Sequence, residues 1–264
     1  MPTLEVNGVD LYHETMGEGP AIVFINGLGA QLLYWMQVAS RLSAHRRVIV
    51  FDHRGSGRSA TASAPVTVEQ MSDDLMGMLD ALGVERATLV GHSMGGYIAM
   101  QVAAEHPSRV HRLVLYSTSA EMNWPALRFI ESVERVWSEC PDISSGGLTR
   151  IFTPWNWSPA RLRDNALMET IVQLADANPY KMTLEGFRAQ VEACRAFEGS
   201  RLLPRIAAPT LVVGGAHDLI APLELQRNLT RQVEGSRLAV SESGHNTHLE
   251  EPDWFTEQVL AFSA

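Results

Sequence analysis

Ala87-Thr88-Leu89-Val90-Gly91-His92-Ser93-Met94-Gly95-Gly96 is the stretch of this 264-residue chain that decides its fold. Ala87–Val90 has the character of a buried strand and runs directly into Gly-x-Ser-x-Gly. Tyr97–Glu105 then has helical character and stops near Pro107. A serine between strand and helix, with glycines around it, fits a sharp strained turn, because residues without side chains let the backbone bend that tightly. Such a turn lifts the Ser93 hydroxyl clear of the sheet edge. It also aims the Met94 backbone N–H and the start of the helix at the same point. The alternative is a glycine-rich turn with an incidental serine. The strand before it and the helix after it favour Ser93 as a nucleophile.

Outward from this turn, short apolar runs alternate with helical ones. Leu4–Val6 and Val9–Tyr12 flank Asn7-Gly8 as a hairpin. Ala21–Ile25, Val48–Phe51 and Val110–Tyr116 are further strand candidates. Val66–Leu82 carries Met71, Leu75, Met78, Leu79 and Leu82 at helical spacing. This alternation predicts a parallel sheet with helices on both faces and right-handed crossovers. It breaks after Ser119. Pro125–Cys140, Ser158–Ala177 and Thr183–Phe197 have helical character, and no strand-like run lies between Glu121 and Ser200. Strands resume at Thr210–Val213 and Leu238–Val240, and a helix closes the chain at about Pro252–Phe262. The expected architecture is an α/β core at 1–120 and 201–264, built on a mostly parallel eight-stranded sheet. Residues 121–200 form a helical cap inserted into it.

A serine hydroxyl is a poor nucleophile until a base takes its proton. His245, in Ser243-Gly244-His245, follows the last strand and precedes the last helix, which makes it the expected base. His248 is its rival and is expected to pack in the following turn. Asp218, just past Thr210–Val213, is expected to fix the imidazole tautomer, giving the chain order Ser, Asp, His. Glu121 is the other acid suitably placed after a strand. An oxyanion hole needs a second donor besides Met94, and Leu28 N–H is expected to supply it from the loop Asn26-Gly27-Leu28-Gly29.

Several function classes are disfavoured. The net charge is -9 and no basic run exceeds Arg46-Arg47, which argues against nucleic-acid partners. Two cysteines, Cys140 and Cys194, cannot build a disulfide framework. Gly55-Ser56-Gly57-Arg58-Ser59-Ala60 mimics a dinucleotide fingerprint, but Ala/Ser/Pro-rich sequence follows it in place of a helix. His245 and His248 are not part of an H-E-x-x-H motif, and no cluster has metal-site spacing. The chain begins without a basic and apolar leader and has no apolar run of roughly 18 residues. The expectation is a cytoplasmic monomer or homodimer that needs no cofactor or metal and acts on a small molecule away from membranes.

The insertion is rich in aromatics. Trp124, Phe152, Trp155 and Trp157 are candidate substrate-binding residues for an apolar or ring-containing substrate. The alternative is that they glue cap helices to the core. Arg128, Arg150 and Arg188 are the cations placed to reach a substrate carboxylate.

Taken together, Asn26–Gly29, Asp52–Ser59, Gly91–Gly96, Gly215–Asp218 and Gly244-His245 followed by Glu250-Glu251-Pro252 resemble the α/β-hydrolase superfamily. They look closest to its small capped esterase and lactonase branch, of the 3-oxoadipate enol-lactonase or aminoacrylate-hydrolase type. The resemblance covers nearly the whole chain. It implies hydrolysis of a carboxylic ester or lactone through an acyl-enzyme. The alternatives it leaves are a ligand receptor with slow turnover or a carbon–carbon bond hydrolase. Ser93 excludes the branches whose nucleophile is aspartate. Asn26 stands where the family usually has His. The oxyanion donor is a backbone group and survives that exchange, so the question becomes how Asn26 anchors its loop.

Overall fold

The computed structural model describes residues 3–60 and 66–264. Met1 and Pro2, and Thr61–Pro65 of the Ala/Ser/Pro-rich stretch, lie outside the described residues. In chain order the elements begin with strands β1 (Thr3–Val6), β2 (Val9–Met16) and β3 (Ala21–Ile25), then helix α1 (Met36–Leu42) and β4 (Arg47–Phe51). Helix α2 (Val68–Ala81), β5 (Ala87–His92), α3 (Met94–Glu105) and β6 (Val110–Tyr116) complete the first half. Five helices follow: α4 (Trp124–Glu139), α5 (Ser145–Asn156), α6 (Pro159–Leu162), α7 (Asn165–Ala177) and α8 (Leu184–Ala196). The chain ends with β7 (Thr210–Gly215), α9 (Leu223–Gln232), β8 (Arg237–Ser241), α10 (Thr247–Glu250) and α11 (Pro252–Phe262). None of the described helices is long and apolar enough to cross a membrane.

The eight strands form one sheet in the order β1-β2-β4-β3-β5-β6-β7-β8. The β1–β2 and β2–β4 pairs are antiparallel, and every later pair is parallel. Parallel strands are buried on both faces, so they are apolar almost continuously. Alternate residues still go to different cores, because successive side chains point to opposite sides. Val23, Ile25, Leu89, Leu113 and Leu115 join a core with α2 and α3. Ile22, Phe24, Val90, Val114 and Tyr116 join another with Trp35, α1 and α11. Each large apolar side chain buried this way contributes about 1.5–3 kcal/mol.

Helices α4 to α8 start at polar caps. Asn123 Oδ1 accepts from Ala126 N, Ser144 Oγ from Gly147 N, and Thr183 Oγ1 from Gly186 N. The single helix expected over Ser158–Ala177 is two. Asp164 accepts from Leu167 N at 3.0 Å and starts α7 afresh. A cap of this kind is worth about 1 kcal/mol. Helix α5 contains Gly146, Gly147 and Pro154 and has weak intrinsic preference for its conformation. Docking on α7 stabilises it, with Gly146 N donating to Asp176 Oδ1 at 2.6 Å.

Because β3, β5, β6, β7 and β8 run parallel, their C-terminal ends share one edge of the sheet. The loops leaving that edge carry Leu28, Ser93, Ser117, Asp218 and His245. Packing there is tight at the start of α3, where a Cβ on Gly95 would fall 2.1 Å from the Ile25 carbonyl oxygen. Overpacking of this degree costs about 1–3 kcal/mol or more. Gly95→Ala is therefore expected to lower stability by at least about 2 kcal/mol in urea unfolding with an unchanged m value. Wild-type stability in that variant would contradict the packing described.

Candidate active site

Ser93 leaves β5 with φ 53° and ψ −118°, a conformation that costs a side-chain-bearing residue about 1–3 kcal/mol. Neighbouring contacts hold it there. Ser93 N donates to the Tyr116 carbonyl at 3.0 Å, and Thr118 Oγ1 donates to the Ser93 carbonyl at 2.8 Å. The following residue, Met94, begins α3, so its N–H belongs to the helix N-terminus. On the other flank Gly27 lies so close that a Cβ on it would come within 3.1 Å of Ser93 Cβ. This close approach brings the Asn26–Gly29 loop to the serine.

Asn26 answers the question left by its departure from the family's usual His. It is buried, and its Nδ2 donates to the Phe51 carbonyl at 2.6 Å. Its own carbonyl accepts from His53 Nε2 at 3.0 Å. A carbonyl can only accept, so His53 carries its hydrogen on Nε2. Burial pushes the His53 imidazole down to about 4, against a smaller opposite pull from that hydrogen bond and from Asp74. Further along, Gly29 N donates to Gln190 Oε1 of α8 at 2.9 Å.

His245 is anchored through its backbone and its ring. Its carbonyl accepts from Tyr116 Oη at 3.0 Å and from His92 Nε2 at 3.1 Å. Its Nδ1 lies 2.9 and 3.0 Å from the two Asp218 carboxylate oxygens. The Asp218 side chain is fully buried, and its Oδ1 also accepts from Ile220 N and Ala221 N at 2.9 and 2.8 Å. With Nδ1–H directed at the carboxylate, Nε2 of the neutral ring keeps its lone pair. His92, the residue before Ser93, packs its ring 4.7 Å from that of His245, so serine and histidine loops meet through it.

His248 is elsewhere engaged. Its ring packs 4.5 Å from Trp35 and its Nδ1 lies 3.0 Å from Tyr116 Oη. Burial, then repulsion between the two rings when both carry protons, lowers it to about 3. His92 is held well below its ordinary range by burial, and its protonation would further be opposed by any proton on the neighbouring His245 or His248 ring. Glu121 is exposed and bonded to Ser200 Oγ at 2.7 Å, remote in role from the Asp218 pair.

A small cavity of about 30 Å³ opens beside Ser93. Leu28 and Met94 line it, as do Met122, Asn123, Ala126 and Ile130 from the segment after β6. The aromatics expected at the substrate are not among its lining residues. Trp124 is 69% exposed with Arg128 over its ring. Trp155 stacks on Phe129 at 4.2 Å and Phe152 meets the same ring edge-on, so both cement helices together. Trp157 is buried near the His245 loop, where Asn246 N donates to the Asn156 carbonyl at 3.2 Å. Arg128, Arg150 and Arg188 are paired with Glu131, Glu169 and Glu134.

Sequence reasoning missed three supports. Gln190 holds the loop at Gly29, and Tyr116 and His92 hold the His245 carbonyl. Glu250 is the third: its carboxylate accepts from Gly244 N at 2.7 Å, from Ser158 N at 3.1 Å and from Ser158 Oγ at 2.5 Å. His92 sits inside the serine motif and Glu250 inside the Glu-Glu-Pro signature, whereas nothing local marks Gln190. Among the described residues no group of three His, Cys, Asp or Glu side chains converges as a metal site requires.

Comparison with known proteins bears on the family and the fold. The model of the alpha/beta hydrolase fold matches residues 20–142. The chain is 30% identical over 99% of its length, and 98% of the relative's, to RutD of Azorhizobium caulinodans, a carbamate hydrolase by its name. The chain belongs to the α/β-hydrolase family. As an α/β hydrolase it also superposes on the enol-lactonase of Burkholderia xenovorans with a TM-score of 0.88, at 30% identity and 99% coverage of both chains. A thermophilic esterase from Thermogutta terrifontis shares 27% identity, with a TM-score of 0.85 over 98% of this chain and 96% of that one. The chain is thus a hydrolase of this fold family.

The buried imidazoles make stability pH-dependent. In the unfolded chain His53 and His248 take up protons below about pH 6.5, whereas the folded chain resists until about 4 and about 3. Stability therefore falls as pH falls through that window, by up to about 1.4 kcal/mol per pH unit per ring. His53→Gln is expected to flatten the decline between pH 6 and pH 4.5 by about one proton's worth. Urea unfolding across that range checks it, and an unchanged slope would contradict a neutral buried His53.

Proposed function

We propose that this hydrolase cleaves a carboxylic ester or lactone of a small, largely apolar substrate through an acyl-enzyme on Ser93. The observation that carries the proposal is the bond from His245 Nδ1 to a fully buried Asp218 that two further backbone amides orient. That bond leaves Nε2 as the ring nitrogen available to a serine. The carboxylate also offsets positive charge on the ring when it gains a proton. The His92 contact that joins the two loops supports pairing His245 with Ser93.

In the proposed reaction His245 Nε2 takes the Ser93 hydroxyl proton as Oγ attacks the carbonyl carbon. The carbonyl electrons move to its oxygen, which receives hydrogen bonds from Leu28 N–H and Met94 N–H. Collapse breaks the carbon–oxygen bond to the leaving alcohol, and His245 gives that alcohol the proton. Water then attacks the acyl-enzyme, giving its proton to His245, and the second collapse returns that proton to Ser93 Oγ as the acid leaves. Each oxyanion donor typically contributes on the order of 10²–10³-fold in rate. Residues 121–200 act as the cap in this scheme, since Met122, Asn123, Ala126 and Ile130 contribute to the cavity.

The names of the relatives set the panel: nitrophenyl esters, simple lactones, a carbamate and a vinylogous diketone. Ser93→Ala is expected to lose at least about 10³-fold in kcat on the favoured substrate with the fold intact by circular dichroism. Retention of most esterase activity would overturn the mechanism. Diketone cleavage exceeding ester cleavage would place the reaction at a carbon–carbon bond. Product release that stalls after one equivalent would mark a receptor. Asp218→Asn tests the orienting role separately, with an expected loss on the order of 10³–10⁴-fold in kcat.

A further inference from the structure

Ser117 is the residue beyond the end of β6, and it is expensive to keep. It has φ 45°, in the left-handed region that disfavours any side chain with a Cβ. It is completely buried, and its hydroxyl has no hydrogen-bond partner. An unsatisfied buried hydroxyl costs about 1–3 kcal/mol. Glycine or alanine would relieve one or both burdens. Strain and an orphaned polar group at a ligand cavity are the signature of a residue kept for a partner that arrives with the ligand.

Ser117 lines the cavity beside Ser93. The other lining side chains with oxygen or sulfur are mostly engaged. Thr118 Oγ1 donates to the Ser93 carbonyl and Ser119 Oγ to the Glu121 carbonyl at 2.5 Å. Asn123 donates to the Ile220 carbonyl at 2.6 Å and accepts from Ala126 N. Cys194 is a thiol that burial keeps protonated. None of the lining residues carries a full charge. An anionic group would thus lose its hydration there without a counter-charge. His92 and Tyr116 are register partners on adjacent parallel strands, so Ser93 and Ser117, the next residues, stand side by side. Neighbouring strands are about 4.8 Å apart. That is the reach of two or three bonds from a carbonyl carbon attached to Ser93 Oγ.

We infer that Ser117 is a substrate-binding residue whose hydroxyl bonds the acyl part of the substrate. The acyl group it selects is uncharged, and it carries an oxygen or nitrogen two or three bonds from the scissile carbonyl. The inference rests on Ser93 as the acylated residue, as proposed above.

The test compares nitrophenyl methoxyacetate with nitrophenyl butyrate, two neutral acyl groups of equal chain length that differ by one ether oxygen. Ser117→Ala is expected to lower kcat/KM for the methoxyacetate roughly three- to tenfold while butyrate stays within about twofold. Its melting temperature should be unchanged or higher, which a purely structural serine would not give. Ser117→Gly should shift the preference equally. The same pair is measured by equilibrium binding to Ser93→Ala with and without Ser117→Ala, so the subsite is read even if neither ester turns over. Absence of turnover in the wild type would count against the hydrolase proposal, and the binding preference would then decide the subsite. An unchanged preference between the two esters in rate and binding, or equal losses on both with a lowered melting temperature, would overturn the role of Ser117.

Discussion

The turn at Ser93 constrains everything around it. A side-chain-bearing residue is held at positive φ, and it stays there only because the neighbouring strands and α3 leave the backbone no alternative. The Tyr116 carbonyl and Thr118 hydroxyl grip it from β6 and beyond. Gly95 lets α3 sit against the Ile25 carbonyl. Closer packing of α3 on the sheet brings the loop after β3 to the serine, and with it Leu28. The strain is thus offset by the burial of β3, β5 and β6, which lie at the centre of the sheet.

A second layer of polar contacts works on the histidine. Burial keeps His92 and His248 in their neutral forms, and the Tyr116 hydroxyl works beside them. A neutral ring presents one donor and one acceptor, and the His92 donor goes to the His245 carbonyl. The His245 backbone is therefore fixed from below while its ring is fixed by Asp218. Positioning of this kind costs little reorganisation during a reaction. It also explains why a protein can have several histidines in one place with only one of them facing Asp218.

Much of this was legible in the sequence because the signals are local. Gly91–Gly96, between a strand and a helix, predicts a turn whatever the rest of the chain does. Alternating strand and helix periods predict the parallel sheet. What escaped is tertiary. Helix α5 forms despite Gly146, Gly147 and Pro154 because Asp176 and α7 support it. Asp164 divides a stretch whose apolar spacing reads as continuous. Aromatic content alone cannot distinguish a pocket wall from the contact between helices, and Phe129 takes up both Trp155 and Phe152. Ser117 is invisible to pattern reading, since only the backbone angle and the missing partner distinguish it from any other strand-end serine.

The Glu250 carboxylate holds two places at once. One oxygen receives Gly244 N, next to His245, and both oxygens receive groups of Ser158 at the start of α6. The segment between β6 and β7 and the loop of the candidate base therefore share a single buried anion. Displacing either leaves that charge short of donors in a dry setting, which is far more costly than losing one exposed contact. The loop of the candidate base and the start of α6 are in this way held by one set of hydrogen bonds, so a change that shifts one of them is felt by the other.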